Sequence, residues 1–343
     1  MCEMCQKRSL ALVMAAGESQ RMKSSVPKML HALCGRPILE HVLRALSGAC
    51  DHTVVIVGHG RDQVMEAYHG RVDFAIQTPE AKGTGHAVRC AMDYLRGRTG
   101  PVVVTAADMP LVLPETYARL IQSVRDGNAG ALLTDTVDNP FGYGRIVREN
   151  GEITRIVEQK DLTEAQKDIR EINGLVCCFD AETLLWALPQ LSDRNHAREV
   201  YLTDVVELIT ASGKRVVSVP VIEKCECQGI NTREQLALRE AEQRARINRR
   251  HMLSGVTLID PAATYIDDDV TIGRDSVIHP GNTISAGTII GENCVIMPGC
   301  RISASKIGSG ARIESSVLIG ADIEDMSEVG PFACINHKTE GKL

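Results

Sequence analysis

The sequence predicts two folded parts, an α/β domain with a mostly parallel, Rossmann-like sheet and a short parallel β-helix of hexapeptide repeats. Up to about Val219, short runs of β-branched and aliphatic residues alternate with segments whose apolar residues recur at helical spacing. From about residue 256, an aliphatic residue recurs every six residues. That period fits neither a helix nor a hairpin strand but suits the flat faces of a parallel β-helix. The 343 residues are long enough for two domains.

In the first part, five apolar runs predict buried strands, at residues 10–14, 54–57, 74–76, 102–104 and 131–133. Between them, apolar residues fall on one helical face in residues 87–95 and again in residues 117–124. Alternation of strands and helices predicts a parallel sheet covered by helices. In such sheets ligands bind beyond the carboxyl ends of the strands.

The hexapeptide repeat is strict at first and then slips. The spacing is six residues at Ile266, Ile272, Ile278, Ile284, Ile290, Ile296 and Ile302. We expect it to continue at Ile307, Ile313 and Ile319 after a five-residue step, and at Ile323, Val329 and Ile335 after a four-residue step. Ahead of the repeat, Thr232 and Gln235 are spaced as a capping box at the start of a long helix. The predicted division is a catalytic domain (1–231), a linker helix (232–255) and a β-helix (256–343).

Composition excludes several classes of protein. The net charge of −6 provides no broad basic field for nucleic acid. No apolar run approaches the roughly 18 residues of a membrane span, and residues 1–8 lack the apolar core of a signal peptide. Twelve cysteines at uneven spacing fit reduced thiols. We therefore expect a cytoplasmic protein that binds neither nucleic acid nor a membrane.

The loop after the first strand is a candidate phosphate site. Its small residues, 15–17, allow backbone N–H groups to approach a polyphosphate, and Arg21 and Lys28 can neutralise the charge. The loop has neither the Gly-Lys-Ser/Thr of a Walker loop nor the glycine spacing of a dinucleotide fingerprint. The alternative is an ordinary strand-to-helix connection with surface Arg and Lys.

Two further candidates lie at strand ends. The segment Lys82-Gly-Thr-Gly-His86 precedes an amphipathic helix, and its glycines allow a flat base to lie against the backbone. Asp108 follows the strand at residues 102–105, where a carboxylate can hold Mg2+ against phosphate oxygens. Taken alone, Asp108 would more often be a turn or capping residue.

These motifs occur together with several others in one order along about residues 9–335. They are Met14-Ala-Ala-Gly-x-x-x-Arg-Met22, Pro27-Lys-Met-Leu-His31, Gly83-Thr-Gly-His-Ala87, Asp108-x-Pro-Leu111, Gly142-Tyr-Gly-Arg-Ile146, Ile156-Val-Glu158, Glu171-Ile-Asn173, Tyr201-x-Thr-Asp204 and Gly229-Ile-Asn231. In this combination the chain resembles the bacterial GlmU family, whose two-domain members make UDP-N-acetylglucosamine.

The resemblance implies a UTP:N-acetylglucosamine-1-phosphate uridylyltransferase with Mg2+ as cofactor. A sugar phosphate oxygen would attack the α-phosphorus of UTP and release pyrophosphate, without a covalent enzyme intermediate or a general base. The implied catalytic residues are Arg21, Lys28 and Asp108, and the implied metal ligands are Asp108 and Asn231. The implied substrate-binding residues are Met14, Ala15, Ala16, Gly17 and Lys28 for the nucleotide, Gln77, Gly83 and Thr84 for uracil, and Gly144, Glu158 and Asn173 for the sugar.

Three departures from the family pattern leave the base and sugar preference open. Gly17-Glu-Ser-Gln-Arg21 replaces Gly-x-Gly-Thr-Arg, Ala107 precedes Asp108, and Gly174-Leu175 follows Asn173. The alternatives are another nucleotide-sugar pyrophosphorylase and a non-catalytic sugar-nucleotide-binding subunit. Retention of Lys28, Asp108 and Asn231 favours a catalyst over a binding subunit.

The resemblance also implies that the β-helix is left-handed. Relatives continue it past the length present here, and their acetyltransferase site lies in the later coils. We therefore expect no glucosamine-1-phosphate acetyltransferase activity. The coils at residues 256–343 are expected to act as a scaffold that supports a homotrimer.

Overall fold

The computed structural model describes residues 9–17, 20–79 and 82–337. The chain divides into two compact units, one formed by residues 1–31 and 38–233 and the other by residues 32–37 and 234–343. Residues 32–37 were not predicted to group with the second unit. Up to the long helix, the elements are β1 (Leu10–Ala15), β2 (Ala32–Leu33), β3 (Arg36–Pro37), α1 (Ile38–Ser47), β4 (His52–Val57), α2 (Arg61–Ala67), β5 (Asp73–Ile76), α3 (Thr84–Arg89), β6 (Pro101–Ala106), α4 (Pro114–Arg125), β7 (Gly130–Thr136), β8 (Arg145–Glu149), β9 (Glu152–Val157), β10 (Glu171–Asp180), α5 (Ala181–Ala187), α6 (Asp204–Ala211), β11 (Val216–Pro220) and α7 (Arg233–Leu253).

The first unit is built on a nine-stranded sheet with the order β11-β7-β10-β6-β1-β4-β5, to which the β8–β9 hairpin is attached through β10. Strand β1 is parallel to both β4 and β6, β4 is parallel to β5, and β7 is parallel to β11. Strand β10 is antiparallel to both of its neighbours, β6 and β7. The sheet is therefore mostly parallel, as predicted, but the sequence did not predict the antiparallel β10.

Both faces of the central strands are apolar, because the sheet is buried on both sides. Leu10 and Leu12 belong to one core, and Ala11 and Val13 belong to the other. All five runs predicted as strands are strands in the structure. The apolar face predicted over residues 87–95 is buried, although its α-helix ends at Arg89 and a 3-10 turn follows.

The hairpin β2–β3 makes its contacts within the second unit. Backbone N–H of Cys34 donates to Glu240 Oε2 (2.9 Å), and Arg36 Nε donates to Asp268 Oδ2 (2.9 Å). A Cβ added at Gly35 would lie 2.5 Å from Asp267 Cγ, so the turn approaches that side chain closely. These contacts explain why the six residues group with α7 and the solenoid.

The second unit contains three parallel sheets, ordered β12-β15-β18-β21-β24, β13-β16-β19-β22-β25 and β14-β17-β20-β23. Each short strand places one aliphatic residue in the core beneath the equivalent residue of the next coil, and only Val329 and Ile335, near the end, are partly buried. This is the arrangement of a short left-handed parallel β-helix. The strands are β12 (Thr257–Leu258), β13 (Tyr265–Ile266), β14 (Thr271–Ile272), β15 (Val277–Ile278), β16 (Thr283–Ile284), β17 (Ile289–Ile290), β18 (Val295–Ile296), β19 (Arg301–Ser303), β20 (Lys306–Ile307), β21 (Arg312–Ile313), β22 (Val317–Ile319), β23 (Asp322–Ile323), β24 (Glu328–Val329) and β25 (Cys334–Asn336).

The predicted inward position of Ile319 is wrong. Leu318 is fully buried and pairs with Ile302, whereas Ile319 pairs with Ser303. The repeat therefore takes two five-residue steps, from Ile313 to Leu318 and from Leu318 to Ile323, in place of six and four. Because successive strand residues point to opposite faces, a one-residue error exchanges the inward and outward side chains.

No helix in the described part of the chain has both the length and the apolar character that crossing a bilayer requires.

Candidate active site

A cavity of about 430 Å³ opens in the first unit, where strands β1 and β6 end. Such a position, beyond the carboxyl ends of parallel strands, is where α/β sheets bind ligands. Ten of the residues predicted to bind substrate or metal border it: Met14, Ala16, Gly17, Lys28, Gln77, Gly83, Thr84, Asp108, Glu158 and Asn173.

A cationic centre lies on one wall of this cavity. Lys28 Nζ donates to Asp108 Oδ2 (2.6 Å) and to Asn231 Oδ1 (3.0 Å), and Lys28 is only 7% exposed. Asp108 follows β6, and Ile230 N–H donates to the Asp108 carbonyl (3.0 Å), which brings Asn231 to the same place. Asp108 and Asn231, both far from Lys28 in sequence, thus converge on its ammonium group.

The donor atoms of this centre fit a divalent cation of the Mg2+ type. One carboxylate oxygen and one amide oxygen already converge on a single positive charge, and Mg2+ takes such hard oxygens together with substrate phosphates. No group of three or more His, Cys, Asp or Glu side chains suited to a metal occurs in residues 9–17, 20–79 and 82–337. An ion held here would therefore complete its coordination with ligand oxygens or water.

A second part of the wall is the turn that carries Gly83 and Thr84. Gln77 Nε2 donates to the Gly83 carbonyl (3.4 Å), and Thr84 Oγ1 accepts from Leu202 N–H (3.0 Å). Val200 forms backbone hydrogen bonds on both sides of Gly83. Its N–H donates to the Lys82 carbonyl (2.9 Å), and its carbonyl accepts from the Gly85 N–H (2.8 Å). The turn is thus fixed against the segment at residues 200–202.

We expect Gly83→Ala to damage this turn severely. Gly83 has a φ of +109°, and an added Cβ would lie 2.3 Å from the Val200 carbonyl oxygen. Backbone strain and overlap together should lower the free energy of unfolding by about 2–4 kcal/mol and raise KM for the nucleotide. Thermal unfolding and initial rates measure both effects.

Gly97→Ala is the matched control for this change. Gly97 also has a positive φ (+68°), but an added Cβ would meet nothing within 4 Å. It should lose only about 1 kcal/mol of stability and keep wild-type KM. Equal effects of the two substitutions would show that contact with Val200 does not hold the turn.

The third part of the wall contains Glu158 and Asn173, and Gly144 lies beside them. Asn173 N–H donates to the Gly144 carbonyl (2.9 Å). A Cβ added at Gly144 would lie 2.9 Å from Ile156 Cγ2 and 3.5 Å from Glu158 Oε2, so glycine allows this close approach. Although Thr203 precedes α6, its hydroxyl donates to Glu158 Oε1 (3.0 Å) and does not cap the helix.

Burial, together with neighbouring carboxylates, raises the pKa of two carboxyl groups at this part of the site, Glu158 and Asp204. Burial raises the pKa of Glu158, the Thr203 hydroxyl lowers it, and Asp161 raises it further. Burial, followed by the charges of Glu207, Glu158 and Asp161, raises the pKa of Asp204 to about 6. The site therefore holds neighbouring carboxyl groups, one of which, Glu158, accepts a hydrogen bond from a hydroxyl group.

Asp204→Asn should stabilise the protein at alkaline pH. Because the pKa of Asp204 is raised in the folded state, its ionisation destabilises the fold above about pH 6 and has no such effect below about pH 4. Its place in the first turn of α6 favours the charged form and reduces the gain. We expect about 1 kcal/mol at pH 8 after solvent screening, falling to zero near pH 4.

Denaturant unfolding at pH 8 and pH 4 measures this difference. Glu182→Gln is the control, because it removes an exposed carboxylate from the first turn of α5. A stabilisation by Asp204→Asn that grows as the pH falls would contradict the assignment.

Four predicted residues do not border the cavity. Gly144 and Asn231 are hydrogen-bonded to residues that do, namely Asn173 and Lys28. Ala15 is buried (4% exposed) at the end of β1, and Arg21 is exposed on the 3-10 turn Gln20–Met22. Glu18 and Ser19, the departures in the first loop, lie outside the described residues.

The structure also adds wall residues that the sequence did not assign. They include Leu175, Cys177, Phe179, Glu199, Tyr201 and Thr203. The motif Tyr201-x-Thr-Asp204 includes two of these residues, Tyr201 and Thr203, but no function could be assigned to them from the sequence. Burial and the charge of Asp161 raise the pKa of Tyr201 to about 12, so it is a neutral hydroxyl.

Comparisons with known proteins agree with this architecture. The MobA-like NTP transferase domain model matches residues 11–204, and the bacterial transferase hexapeptide (six repeats) model matches residues 287–321. The chain is 46% identical over 328 residues to the bifunctional protein GlmU of Clostridium perfringens, covering 95% of this chain and 72% of that protein. It is 42% identical over 332 residues to the bifunctional protein GlmU of Clostridium beijerinckii, covering 96% and 72%. A solved UDP-glucose pyrophosphorylase complexed with UDP-glucose shares the fold, with a TM-score of 0.56 and 17% identity over 70% of this chain and 99% of that one.

Proposed function

Because the chain belongs to the GlmU family, we propose that it is a UTP:N-acetylglucosamine-1-phosphate uridylyltransferase, which makes UDP-N-acetylglucosamine and pyrophosphate. The observation that carries this proposal is the convergence of Lys28, Asp108 and Asn231 on one wall of a cavity. The same cavity is bordered by a polar turn at Gly83 and by the carboxylate of Glu158. A nucleotide and a sugar phosphate can meet between these groups.

The reaction requires charge neutralisation and alignment more than proton transfer. The sugar phosphate is an anion at neutral pH, since its second pKa is about 6, so no general base is needed. Its oxygen attacks the α-phosphorus of UTP, and the bond to the leaving pyrophosphate breaks. Lys28 contacts the triphosphate from the cavity wall, and Arg21 approaches it from the first loop. These two cations stabilise the negative charge that the transition state spreads over the phosphoryl oxygens.

Asp108 and Asn231 would hold the divalent ion, which we propose to be Mg2+. When bound, Mg2+ neutralises phosphate charge and orients the reacting oxygens. The Lys28 ammonium lies between the two oxygens, so the pair is already positioned to receive a cation.

Base and sugar recognition are assigned to opposite parts of the cavity. Gln77, Gly83 and Thr84 would bind uracil through the fixed turn. On the other side, Glu158 would accept hydrogen bonds from sugar hydroxyls, with Gly144 and Asn173 alongside it. Met14, Ala15, Ala16 and Gly17 would place backbone groups near the nucleotide.

We further propose the domain division at residues 231 and 255, with the β-helix as a scaffold for a homotrimer. Light scattering should then give a mass near three times 37.3 kDa. A monomer mass at all concentrations would reject the trimer and leave the catalytic proposal standing.

A substrate panel tests the proposed specificity. Pyrophosphate release is measured with Mg2+, UTP and either N-acetylglucosamine-1-phosphate, glucose-1-phosphate or glucosamine-1-phosphate. Other nucleoside triphosphates then replace UTP. We expect the highest kcat/KM for UTP with the N-acetylated sugar. A clear preference for another pair would reassign the substrates within the nucleotide-sugar pyrophosphorylases, and release with no pair would indicate a binding subunit.

A further inference from the structure

Strand β10 carries a leucine in an unfavourable backbone conformation beside the cavity. Its pairing with β7 shifts between Asn173 and Cys177, and Leu175 lies inside this irregularity with a φ of +58°. This left-handed region suits glycine and strains a leucine. Strain of this kind persists where the surroundings hold it in place, and it is concentrated at functional sites.

The side chain of Leu175 belongs to the cavity wall. Alternate residues of β10, namely Asn173, Leu175, Cys177 and Phe179, all border the cavity. Gly174, between them, faces the other way, because an added Cβ would lie 2.5 Å from Cys227 Sγ and 3.0 Å from the Leu133 carbonyl oxygen. Leu175 is 41% exposed, so a large apolar side chain faces the open cavity.

The backbone of Leu175 is also hydrogen-bonded to Asn173, one of the residues assigned to the sugar. Its backbone N–H donates to Asn173 Oδ1 (3.3 Å). Asn173 Cβ would lie 3.6 Å from a Cβ added at Gly144, and Glu158 Oε2 would lie 3.5 Å from the same atom. An apolar side chain therefore borders the part of the cavity that otherwise presents a carboxylate and an amide.

We propose that Leu175 is a specificity-determining residue that forms the apolar wall against the acyl group of a 2-acylamino sugar. Its side chain contacts the methyl of an N-acetyl group and leaves too little room for a longer acyl chain. Pockets of this kind combine a few polar groups, which fix orientation, with an apolar surface that selects size. The inference rests on the proposed function, because it assumes that the sugar binds beside Glu158 and Asn173.

Leu175→Gly removes the side chain without disturbing the backbone conformation. Glycine adopts the same φ without strain, so the variant should be at least as thermally stable as the wild type. Initial rates are measured with UTP and glucosamine-1-phosphate carrying either an N-acetyl or an N-butanoyl group. The wild type should prefer the N-acetyl sugar by about tenfold or more in kcat/KM, because a pocket rejects added methylenes to about this extent. In Leu175→Gly the preference should fall below about threefold, through a lower KM for the butanoyl sugar.

Leu175→Asn is the second variant, because asparagine tolerates the left-handed region but presents a polar group. It should raise KM for the N-acetyl sugar several-fold with little change in kcat. A wild type that accepts both acyl sugars equally, or an unchanged preference in both variants, would overturn the role of Leu175. A wild type that releases no pyrophosphate with the N-acetyl sugar would instead reject the proposed function, and with it the acyl contact.

Discussion

Asp108→Ala is expected to lower the rate of pyrophosphate release by roughly a thousandfold or more, because it removes the carboxylate proposed to hold the divalent ion. Asn231 alone would then face the cation, and one amide oxygen does not neutralise its charge. The measurement is kcat with UTP and N-acetylglucosamine-1-phosphate at saturating Mg2+.

Folding should survive this substitution. Asp108 follows β6 and lies at the cavity, and Lys28 keeps its contact with Asn231 Oδ1 at 3.0 Å. Circular dichroism should therefore remain that of the folded wild type, while the melting temperature should fall because the almost buried Lys28 ammonium loses its carboxylate partner. Asp108→Asn is the control of matched shape, and it should be nearly as inactive because the charge is lost. Turnover within about tenfold of wild type in Asp108→Ala would place the metal site elsewhere.

Lys28→Met should lower kcat/KM by about a hundredfold to a thousandfold, the effect of removing one preorganised donor from a charged transition state. Lys28 is almost buried, so its ammonium acts on the phosphates with little solvent screening. Methionine keeps most of the unbranched side chain and removes the charge together with the N–H donors. Initial rates over a range of UTP concentrations separate the effects on kcat and KM.

Lys28→Arg and the double variant sharpen this prediction. Arginine keeps the charge but has a larger planar group, so partial activity should return. Lys28→Met combined with Asp108→Ala should be about as slow as Asp108→Ala alone, because both residues act on one phosphate centre. If the double variant instead loses activity by the product of the two single-variant factors, Lys28 and Asp108 act at independent sites.

Much of the fold could be predicted from periodicity. Runs such as residues 102–104 are apolar on every residue because their strands are buried on both faces, and the six-residue repeat has no other structural explanation. Antiparallel β10 could not be predicted, since an apolar run carries no information about strand direction. The choice of Ile319 over Leu318 failed because two adjacent aliphatic residues satisfy the pattern equally well, and only the coil geometry decides between them.

The candidate site was predictable where motifs end strands, as at Asp108, or form glycine turns, as at Gly83. Its remaining residues depend on tertiary structure. Thr203 reaches Glu158 only because α6 begins beside β9, and Leu175 enters the wall only through the irregularity in β10. Thr203 lies in the motif Tyr201-x-Thr-Asp204 and Leu175 lies in a departure from the family pattern, but neither pattern indicates what the residue does.

The most direct measurement is the formation of UDP-N-acetylglucosamine and pyrophosphate by purified protein from UTP and N-acetylglucosamine-1-phosphate, with and without Mg2+. The proposed function predicts equal amounts of the two products, their loss when a chelator removes the metal, and their absence with Asp108→Ala. Metal-saturated wild-type protein that binds UTP but forms neither product would contradict it.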